Sequence, residues 1–408
     1  MSNAQRSAMD ASAIRASAPG DPRALAVPLA LYVHMPWCVR KCPYCDFNSH
    51  QLKSADPPAG YIDTLIEDFD AEMPLLAGRS IETIFFGGGT PSLFSPEDFA
   101  RLLEALRKKI TFSDRVEITL EANPGTIERG RFSSYRDAGI NRVSLGAQTF
   151  ATHALERLGR IHSAEDTRRA VEELHAAGIG NFNLDLMYAL PEQTLDEALD
   201  DVRLACALAP AHISYYQLTL EPGTVFHSRP PRLPDEDAAW SMQAEGQQML
   251  AAHGFEQYEV SAYARPGSRC RHNLNYWRFG DYVGLGAGAH GKLTLDLPDR
   301  ILRTEKPKQP RDYQGKVRES RSLGLAIGER RHIAVADLPF EFMLNALRLN
   351  AGFAAADFER RTGLPLSGVA PALESAAGRG LLERSGEGWR ATERGRKFLN
   401  DLQASFLP

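Results

Sequence analysis

Strand-like and helix-like segments alternate six times between residues 29 and 254. Each strand-like segment is a short apolar run, and each is followed by a longer stretch with apolar residues at helical spacing. Such alternation predicts an α/β fold with a parallel sheet, because each helix returns the chain to the start of the next strand. The predicted strands are LALYVHM (29–35), IETIFF (81–86), VEITLEAN (116–123), RVSLGAQ (142–148), NFNLDLMYAL (181–190) and HISYYQLTL (212–220).

The predicted helices end in a regular way. Gly139, Gly178 and Gly254 each follow a helical run and fit the left-handed position that ends a helix. The helical segments are 60–76, 96–110, 128–139, 163–178, 194–208 and 234–254.

Polar and glycine residues at the strand ends distinguish a barrel from an open sheet. In a (β/α) barrel the carboxyl ends of the strands converge on one mouth, whereas an open sheet binds its ligand at one switch point. These residues are spread over five strands, and six units are fewer than the eight of a closed barrel. We therefore predict a partial (β/α)6 TIM-like barrel. The residues are Cys38, Gly87, Glu121, Gln148 and Asp185.

The alternation stops after about residue 300. Helical segments at 340–350 and 354–363 precede a strand–turn–strand–helix pattern at 380–402. This predicts a small C-terminal helical domain resembling a winged helix, and it lacks the dense basic face of a nucleic-acid binder. The predicted division is a disordered tail at 1–27, a core domain at 28–295 and a C-terminal domain at 296–408.

Composition narrows the class of protein. The formal net charge of the 408 residues is −5, so no global basic field favours nucleic acid. The five cysteines are too few for a secreted disulfide scaffold, and a reducing cytoplasm is expected. The apolar segment at 24–33 is too short for a membrane span.

Three of the five cysteines stand within eight positions, in YVHMPWCVRKCPYCDFNSH. Cys38, Cys42 and Cys45 could bind zinc with His34 or His50 as the fourth ligand. Cys42 and Cys45 alone could form a redox pair. Three thiolates could also hold a 4Fe–4S cluster and leave one iron open. Chance packing of free cysteines is the weakest alternative.

The spacing of the three cysteines, with Tyr44 before the last of them, resembles the signature of radical S-adenosylmethionine (SAM) proteins. FFGGGTPS at 85–92 is similar to the glycine motif of that superfamily, which receives the methionine end of SAM. More narrowly, the chain resembles the oxygen-independent coproporphyrinogen III oxidase-like family over roughly residues 30 to 400. The matching segments are YVHMPWC, GGGTPS, LEANP, SLGAQTF, LGRIHS and NLDLMYALP.

The resemblance implies a 4Fe–4S cluster on Cys38, Cys42 and Cys45, with SAM on the open iron. Without it, the glycines could be a plain turn, and Glu121 and Asp185 could pair with Arg142 or Arg160. With it, the expected SAM contacts are Tyr32, Tyr44, Gly88, Gly89, Thr90, Glu121, Gln148, Arg160 and Asp185.

Two features favour the haem-chaperone branch of this family over the oxidases. The Cys-Gly-Cys continuation of the oxidases is replaced by Asp46 and Phe47 after Cys45. RHNLNYW resembles the HNxxYW motif of the chaperones, which implies His272 and Tyr276 as haem contacts, although a packed aromatic rim is the structural alternative.

The resemblance therefore implies a protein that binds haem as cargo and passes it to haem-requiring proteins such as respiratory enzymes. Coproporphyrinogen III dehydrogenase activity is not expected. A radical SAM oxidase acting on coproporphyrinogen III or a related porphyrin precursor is the alternative. An electron donor for the cluster and a peripheral contact with a membrane are expected. The glycine-rich segment 282–291 is expected to be a crossing to the last domain or to bring His290 near SAM.

Overall fold

The structure is a computed structural model that describes residues 26–53, 57–76, 78–126 and 131–408. The predicted tail at 1–27 lies almost entirely outside the described residues. The strands are β1 (Leu29–Met35), β2 (Trp37–Cys38), β3 (His50–Gln51), β4 (Ser80–Gly88), β5 (Thr111–Ala122), β6 (Arg142–Gln148), β7 (Phe182–Tyr188), β8 (His212–Gln217), β9 (Glu256–Glu259), β10 (Ala262–Ala264), β11 (Asp281–Leu285), β12 (His290–Asp296), β13 (Arg300–Glu305), β14 (Glu329–His332), β15 (Phe353–Ala354), β16 (Leu382–Ser385) and β17 (Gly388–Ala391).

The helices surround the sheet and form most of the C-terminal region. They are α1 (Tyr61–Glu72), α2 (Pro96–Arg107), α3 (Arg131–Asp137), α4 (Thr152–Arg157), α5 (Ala164–Ala176), α6 (Leu195–Ala207), α7 (Val225–Ser228), α8 (Glu236–Ala252), α9 (Arg271–Trp277), α10 (Pro310–Leu323), α11 (Leu338–Ala346), α12 (Ala355–Thr362), α13 (Ala370–Gly378), α14 (Glu393–Lys397) and α15 (Leu399–Ala404).

The six predicted strands are confirmed and lie side by side. They are parallel in the order β1, β4, β5, β6, β7, β8. All seven residues of β6 are buried, as expected for a strand of a parallel barrel, which has helices on its outer face and packed side chains on its inner face. The partial barrel that the alternation predicts is thus the core of the protein.

The sheet is larger than predicted. β11 adds a seventh parallel strand beside β1, and β12, β13 and β14 continue from it as antiparallel strands. β10 and β9 extend the other edge beyond β8. The segment 282–291, predicted as a crossing, therefore forms β11, a tight turn and the start of β12.

Local signals explain where the helices begin and end. Three helices start with a capping box, as when the Ser95 hydroxyl accepts the amide proton of Asp98 at the start of α2. Gly139, Gly178 and Gly254 all adopt positive φ after a helix, as predicted. No helix in the described part of the chain is both long and apolar enough to cross a membrane.

The C-terminal residues form a second apolar core around Phe342, Phe358 and Trp389. β15, β17 and β16 make a three-stranded antiparallel sheet beside α11 to α15, in agreement with the predicted strand–turn–strand–helix pattern. The predicted boundary at 295/296 falls inside β12, and the large sheet continues to His332. The division into domains stays a prediction, and a boundary near residue 332 would leave the large sheet undivided.

Candidate functional site

The three clustered cysteines lie on a closed loop at the carboxyl end of β1. The short strands β2 and β3 pair in parallel, with Cys38 opposite Gln51, and so join the two ends of the loop. Inside it, the Cys45 amide donates to the Cys42 carbonyl at 3.2 Å. The Lys41 ammonium donates to two further loop carbonyls, each at 3.3 Å. This backbone closure positions the cysteines beside one cavity.

The thiols stand in a polar but buried setting. The Cys42 sulfur accepts from the Arg160 guanidinium at 3.9 Å, and the Cys45 sulfur lies 3.9 Å from the Ser49 hydroxyl. Burial raises the pKa values of the Cys38 and Cys45 thiols, while a hydrogen bond from Ser49 opposes the rise at both. A bound cation is what would favour the thiolate forms. Three thiols with guanidinium and hydroxyl support suit an iron–sulfur cluster held at three corners.

The two remaining cysteines lie elsewhere. Cys206 is buried in α6, and Cys270 is buried where it caps α9 by accepting the amide proton of Asn273 at 3.5 Å. Neither lines the cavity beside the cysteine loop.

A cavity of about 230 Å³ opens next to the cysteine loop, across the carboxyl ends of β4 to β8. It brings together all three clustered cysteines and every predicted SAM contact except Tyr32. The predicted contacts that line it are Tyr44, Gly88, Gly89, Thr90, Glu121, Gln148, Arg160 and Asp185. Residues from five strand ends therefore converge on one space, as the barrel prediction requires.

At the glycine run, Gly88 and Gly89 lie very close to the segment that contains His34 and Trp37. Gly88 has φ +110°, and a Cβ built there would lie 2.4 Å from the His34 ring. A Cβ on Gly89 would lie 2.5 Å from the Trp37 carbonyl oxygen. Neither position accepts a side chain, so the glycines are required for the shape of the cavity floor.

Glu121 is a buried carboxyl without a cationic partner among the ion pairs of the described residues. Its Oε2 accepts the Gly88 amide proton at 3.1 Å. Burial, with the nearby Asp185 as the second cause, raises the pKa of Glu121 to about 8. A carboxyl held this way would gain a compensating charge from a cationic ligand.

Asp185 is held by neutral donors. The Asn183 amide donates to it at 2.8 Å and the Ser144 hydroxyl at 3.3 Å. Burial raises the pKa of Asp185. The salt bridge to Arg142 or Arg160, considered as the structural alternative, does not occur among the ion pairs of the described residues. The carboxyl of Asp185 is therefore fixed, buried and directed to the cavity, where it can be a polar contact for a ligand.

Arg160 and Gln148 border the same space. The Arg160 guanidinium donates to the Gly146 carbonyl at 2.7 Å, but its buried Nε has no partner in the described structure. Gln148 has the left-handed φ of 65°, unusual for a residue with a side chain, and its Oε1 accepts the Tyr216 hydroxyl at 3.0 Å. Such backbone geometry at a cavity edge is typical of functional sites.

Several supporting residues escape prediction from the sequence. Ser144 and Gly146 lie four and two residues before Gln148 on β6, and the period of two in a strand could have indicated them. A Cβ on Gly146 would lie 3.2 Å from Arg160 Nη2, so this glycine makes room for the guanidinium. Asn183 and Tyr216 carry no such signal, because their roles depend on contacts between strands.

A second, larger cavity of about 880 Å³ adjoins the first. Gly88, Glu121 and the segment Asp46–Phe47 line both. Six aromatic residues line the larger cavity, together with imidazole, ammonium, guanidinium and carboxylate side chains. Tyr32, the remaining predicted SAM contact, lines this larger cavity instead. Other lining residues are Tyr276, Trp277, Phe279, Tyr282, His34, His50, His290, Lys41 and Lys308.

The predicted role of His272 as a haem ligand is not supported by its position. The ring is 1% exposed and lines neither cavity. Its Nδ1 is 2.8 Å from the Thr83 hydroxyl, and its Nε2 is 2.8 Å from the Tyr276 hydroxyl. Burial lowers the pKa of His272 to about 3. With both nitrogens occupied, the ring positions Tyr276, which does line the larger cavity.

His290 lines the larger cavity, as do the predicted SAM contacts Tyr32, Gly88 and Glu121, and it does not line the cavity beside the cysteine loop.

Comparison with known proteins gives consistent results over nearly the whole chain. Residues 32–205 match the Radical SAM superfamily, and residues 333–398 match the HemN C-terminal domain. "Heme chaperone HemW" of Escherichia coli is 49% identical over 382 residues, which cover 93% of this chain and 98% of that protein. The protein of the same name from Bacillus subtilis is 32% identical, with 92% and 98% coverage.

Among solved structures, coproporphyrinogen III oxidase (HemN) from Escherichia coli has the same fold. The TM-score is 0.78 at 23% sequence identity, and the match covers 94% of this chain and 92% of that one. The bovine "Radical S-adenosyl methionine domain-containing protein 1, mitochondrial" is 34% identical and covers 100% of this chain and 92% of its own length.

Proposed function

The chain belongs to the family of the heme chaperone HemW within the radical SAM superfamily, and we propose that it binds haem and passes it to haem-requiring proteins. The observation that carries the proposal is the pair of adjoining cavities. The smaller one gathers the cysteines and the predicted SAM contacts, and the larger one has the size and lining of a site for a flat apolar ligand.

The lining of the larger cavity suits a porphyrin. Ligand cavities are typically about 300–1,000 Å³, mainly apolar and aromatic, with a few polar groups that fix orientation. The volume of about 880 Å³ falls in that range, and the partly exposed Tyr276, Trp277 and Tyr282 offer aromatic surface. The buried Nε1 of Trp277 has no partner in the described structure and could donate to a ligand.

The smaller cavity would hold the cofactors. Cys38, Cys42 and Cys45 would bind three irons of a 4Fe–4S cluster. Gly88, Thr90, Glu121, Gln148, Arg160 and Asp185 would contact SAM, with Tyr44 and Gly89 beside it, by the positions they share with the family motifs. Bound at these residues, a 4Fe–4S cluster and SAM would supply one-electron chemistry.

The protein's own residues would prepare that site. Arg160 would support the Cys42 thiolate through its guanidinium, and Ser49 would support Cys45. Burial favours the protonated form of Glu121. A cationic ligand would favour release of that proton, because its positive charge would stabilise the resulting carboxylate. The exposed Phe47 borders both cavities and would limit water between them.

The proposal also covers partners. Haem acceptors such as respiratory enzymes, a donor of electrons to the cluster, and a peripheral contact with a membrane are proposed as partners, with the cytoplasm as the place of action.

A haem titration tests the proposal. The purified, cluster-loaded protein is mixed with ferric haem, and uptake is followed by the Soret band. Saturation at one haem per chain, followed by transfer to an apo-haem protein, is expected. Trp277→Ala should bind haem roughly ten- to a hundredfold more weakly, because it loses an aromatic contact worth about 1.5–3 kcal/mol. Trp240→Ala, which changes an exposed tryptophan outside the cavity, is the control.

Two outcomes would contradict the proposal. One is equal haem binding by the wild type, Trp277→Ala and Trp240→Ala, which would indicate adsorption to the surface. The other is conversion of coproporphyrinogen III to a vinyl product with consumption of SAM under anaerobic, reducing conditions, which would identify an oxidase.

A further inference from the structure

We propose that His290 is the axial ligand of the haem iron in the larger cavity, with Glu305 as the carboxylate partner of its imidazole and Lys308 beside a haem propionate. The inference rests on the proposed function and names the iron ligand at that site. It follows from which histidines reach the cavity and which of them have a nitrogen available.

Two histidines near the cavity are already fully engaged. His272 is buried between Thr83 and Tyr276, with 2.8 Å contacts at both ring nitrogens. His34 lines the cavity, but its Nδ1 is 3.0 Å from the Tyr32 hydroxyl and its Nε2 donates to the Asn48 carbonyl at 2.8 Å. Ligation of iron by either ring would require loss of a buried hydrogen bond, which costs about 1–3 kcal/mol.

His50 is partly engaged. Its Nε2 is 3.2 Å from Asn48 Oδ1. The amide of Asn48 is itself fixed, because its nitrogen donates to the Ala287 carbonyl at 2.9 Å and to the Lys308 carbonyl at 2.8 Å. His50 therefore belongs to a fixed network that joins the cysteine loop to the turn after β11, and moving it would disturb that connection.

His290 has neither restriction. It stands at the start of β12, lines the cavity, and its side chain is 60% exposed. No hydrogen bond of 3.5 Å or less from this ring is found in the described structure. The ring is thus free to turn toward a ligand in the cavity.

Glu305 supplies the partner that a ligating histidine usually has. It lies directly opposite His290 in the β12–β13 pair, and its Oε1 is 3.8 Å from His290 Nε2. A histidine that binds a metal through one nitrogen almost always donates its other N–H to a carboxylate, carbonyl or water. A small rotation of either side chain would bring this pair within hydrogen-bonding distance while Nδ1 faces the iron.

Lys308 completes the arrangement. Its ammonium is 3.7 Å from Glu305 Oε1, is largely exposed, and lines the same cavity. A haem seated against the aromatic wall keeps its propionates toward solvent, where Lys308 and Lys41 could pair with them. The alternative cation, Lys292, is buried against Asp281 at 2.8 Å and is not available.

Haem titration of the full-length, cluster-loaded protein tests the ligand. The variants are His290→Ala, Glu305→Gln and His50→Ala, with His332→Ala as the control, since His332 is an exposed histidine of the same sheet outside the cavity. Ligation is measured by resonance Raman and electron paramagnetic resonance of the ferric haem.

We expect His290→Ala to lose the iron–imidazole signature and to bind haem roughly tenfold more weakly, with recovery on addition of free imidazole. Glu305→Gln should retain the ligand but shift the iron–imidazole frequency and weaken binding by roughly tenfold, as loss of an outer partner does. His332→Ala should resemble the wild type, and His50→Ala, which changes a residue of the cavity lining, should retain the iron–imidazole signature.

Other results would overturn the assignment. Haem bound by His290→Ala with an unchanged imidazole signature excludes His290, and loss of that signature only in His50→Ala would name His50 instead. Absence of haem uptake by the wild type would refute the proposed function itself, and the ligand assignment with it. Wild-type uptake with unaltered ligation in His290→Ala refutes the ligand assignment alone.

Discussion

Replacement of Glu121 by Gln should stabilise the protein above neutral pH. The pKa of this buried carboxyl is raised from 4.5 to about 8. The folded protein therefore holds the proton more tightly than the unfolded chain. A group of this kind contributes its full stability below pH 4.5, and that contribution is lost as the pH rises toward 8.

The size of the effect follows from the pKa difference. Each pKa unit corresponds to about 1.4 kcal/mol, so the free energy of unfolding of the wild type should fall by roughly 3–4 kcal/mol between pH 5 and pH 8 because of Glu121 alone. Glu121→Gln removes that dependence, and its amide oxygen can still accept the Gly88 amide proton. The gain over the wild type should be small at pH 5 and several kcal/mol at pH 8.

Urea unfolding of the cluster-free full chain measures the effect without ligand charges. Unfolding midpoints are compared for wild type, Glu121→Gln and the control Glu172→Gln, which changes an exposed carboxylate on α5. The difference in stability from the wild type should increase from pH 5 to pH 8 for Glu121→Gln and should stay constant for Glu172→Gln. Equal gains at both pH values, or none, would refute the view that Glu121 is an uncompensated buried carboxyl.

The same substitution should weaken SAM binding. If a cationic ligand draws the proton from Glu121, wild-type affinity rises with pH by up to about tenfold per pH unit below 8. The affinity for SAM is measured by equilibrium dialysis of the cluster-loaded wild type and of Glu121→Gln at two pH values. Any change that comes from the titration of SAM itself is the same for both proteins and cancels in the comparison. Parallel pH dependence in the two proteins would show that Glu121 does not sense the ligand charge.

Three further predictions concern the cluster loop and the cavity beside it. Cys42→Ala should prevent retention of about four irons per chain after anaerobic reconstitution, whereas Cys206→Ala should leave the iron content unchanged; full iron in the first variant would exclude the cysteine assignment. Asp185→Asn should weaken SAM binding and leave iron content intact, and normal SAM affinity would leave Asp185 a structural role. Gly88→Ala should lower the free energy of unfolding by about 1–3 kcal/mol, since Gly88 has φ +110° and the His34 ring occupies the space where a Cβ would stand. In the control Gly180→Ala the new Cβ meets nothing within 4 Å and should be tolerated, and equal stabilities of the two variants would contradict the close packing at Gly88.

The sequence was sufficient for the parallel core because its signals are local. LALYVHM and RVSLGAQ coincide with β1 and β6, since strands buried on both faces are rich in apolar residues. The residues at their carboxyl ends converge for the same topological reason. Eight of the nine predicted SAM contacts consequently line one cavity, although all of them except Gly88, Gly89 and Thr90 are far apart in the sequence.

The sheet extension was missed because its glycines resemble loop residues. In YVGLGAGAHG, a Cβ on Gly284 would lie 2.0 Å from the His290 carbonyl oxygen, and one on Gly291 would lie 2.4 Å from the Thr304 hydroxyl. These glycines allow β11, β12 and β13 to approach closely. The need arises between strands, and neither periodicity nor propensity within one strand reveals it.

The orientation of His272 could not be predicted for a related reason. Tyr276 and Trp277 of the HNxxYW match line the larger cavity, but the direction of the His272 ring depends on residues about 150 to 190 positions away in the chain. Glu117 accepts the amide protons of Arg271 at 3.2 Å and His272 at 3.1 Å, which fixes the start of α9. Thr83 then takes one ring nitrogen and leaves the other for Tyr276.

The two cavities are supported by the same pair of strands. Thr83 and Glu117 face each other in the β4–β5 register and hold α9, which carries the aromatic wall of the larger cavity. Farther along the same strands, Gly88 and Glu121 are joined at 3.1 Å and line both cavities. A displacement of β4 against β5 would thus move the floor of the smaller cavity and the wall of the larger one together. The floor of the smaller cavity and the wall of the larger one therefore depend on the register of the same two strands and not on a loop between separate domains.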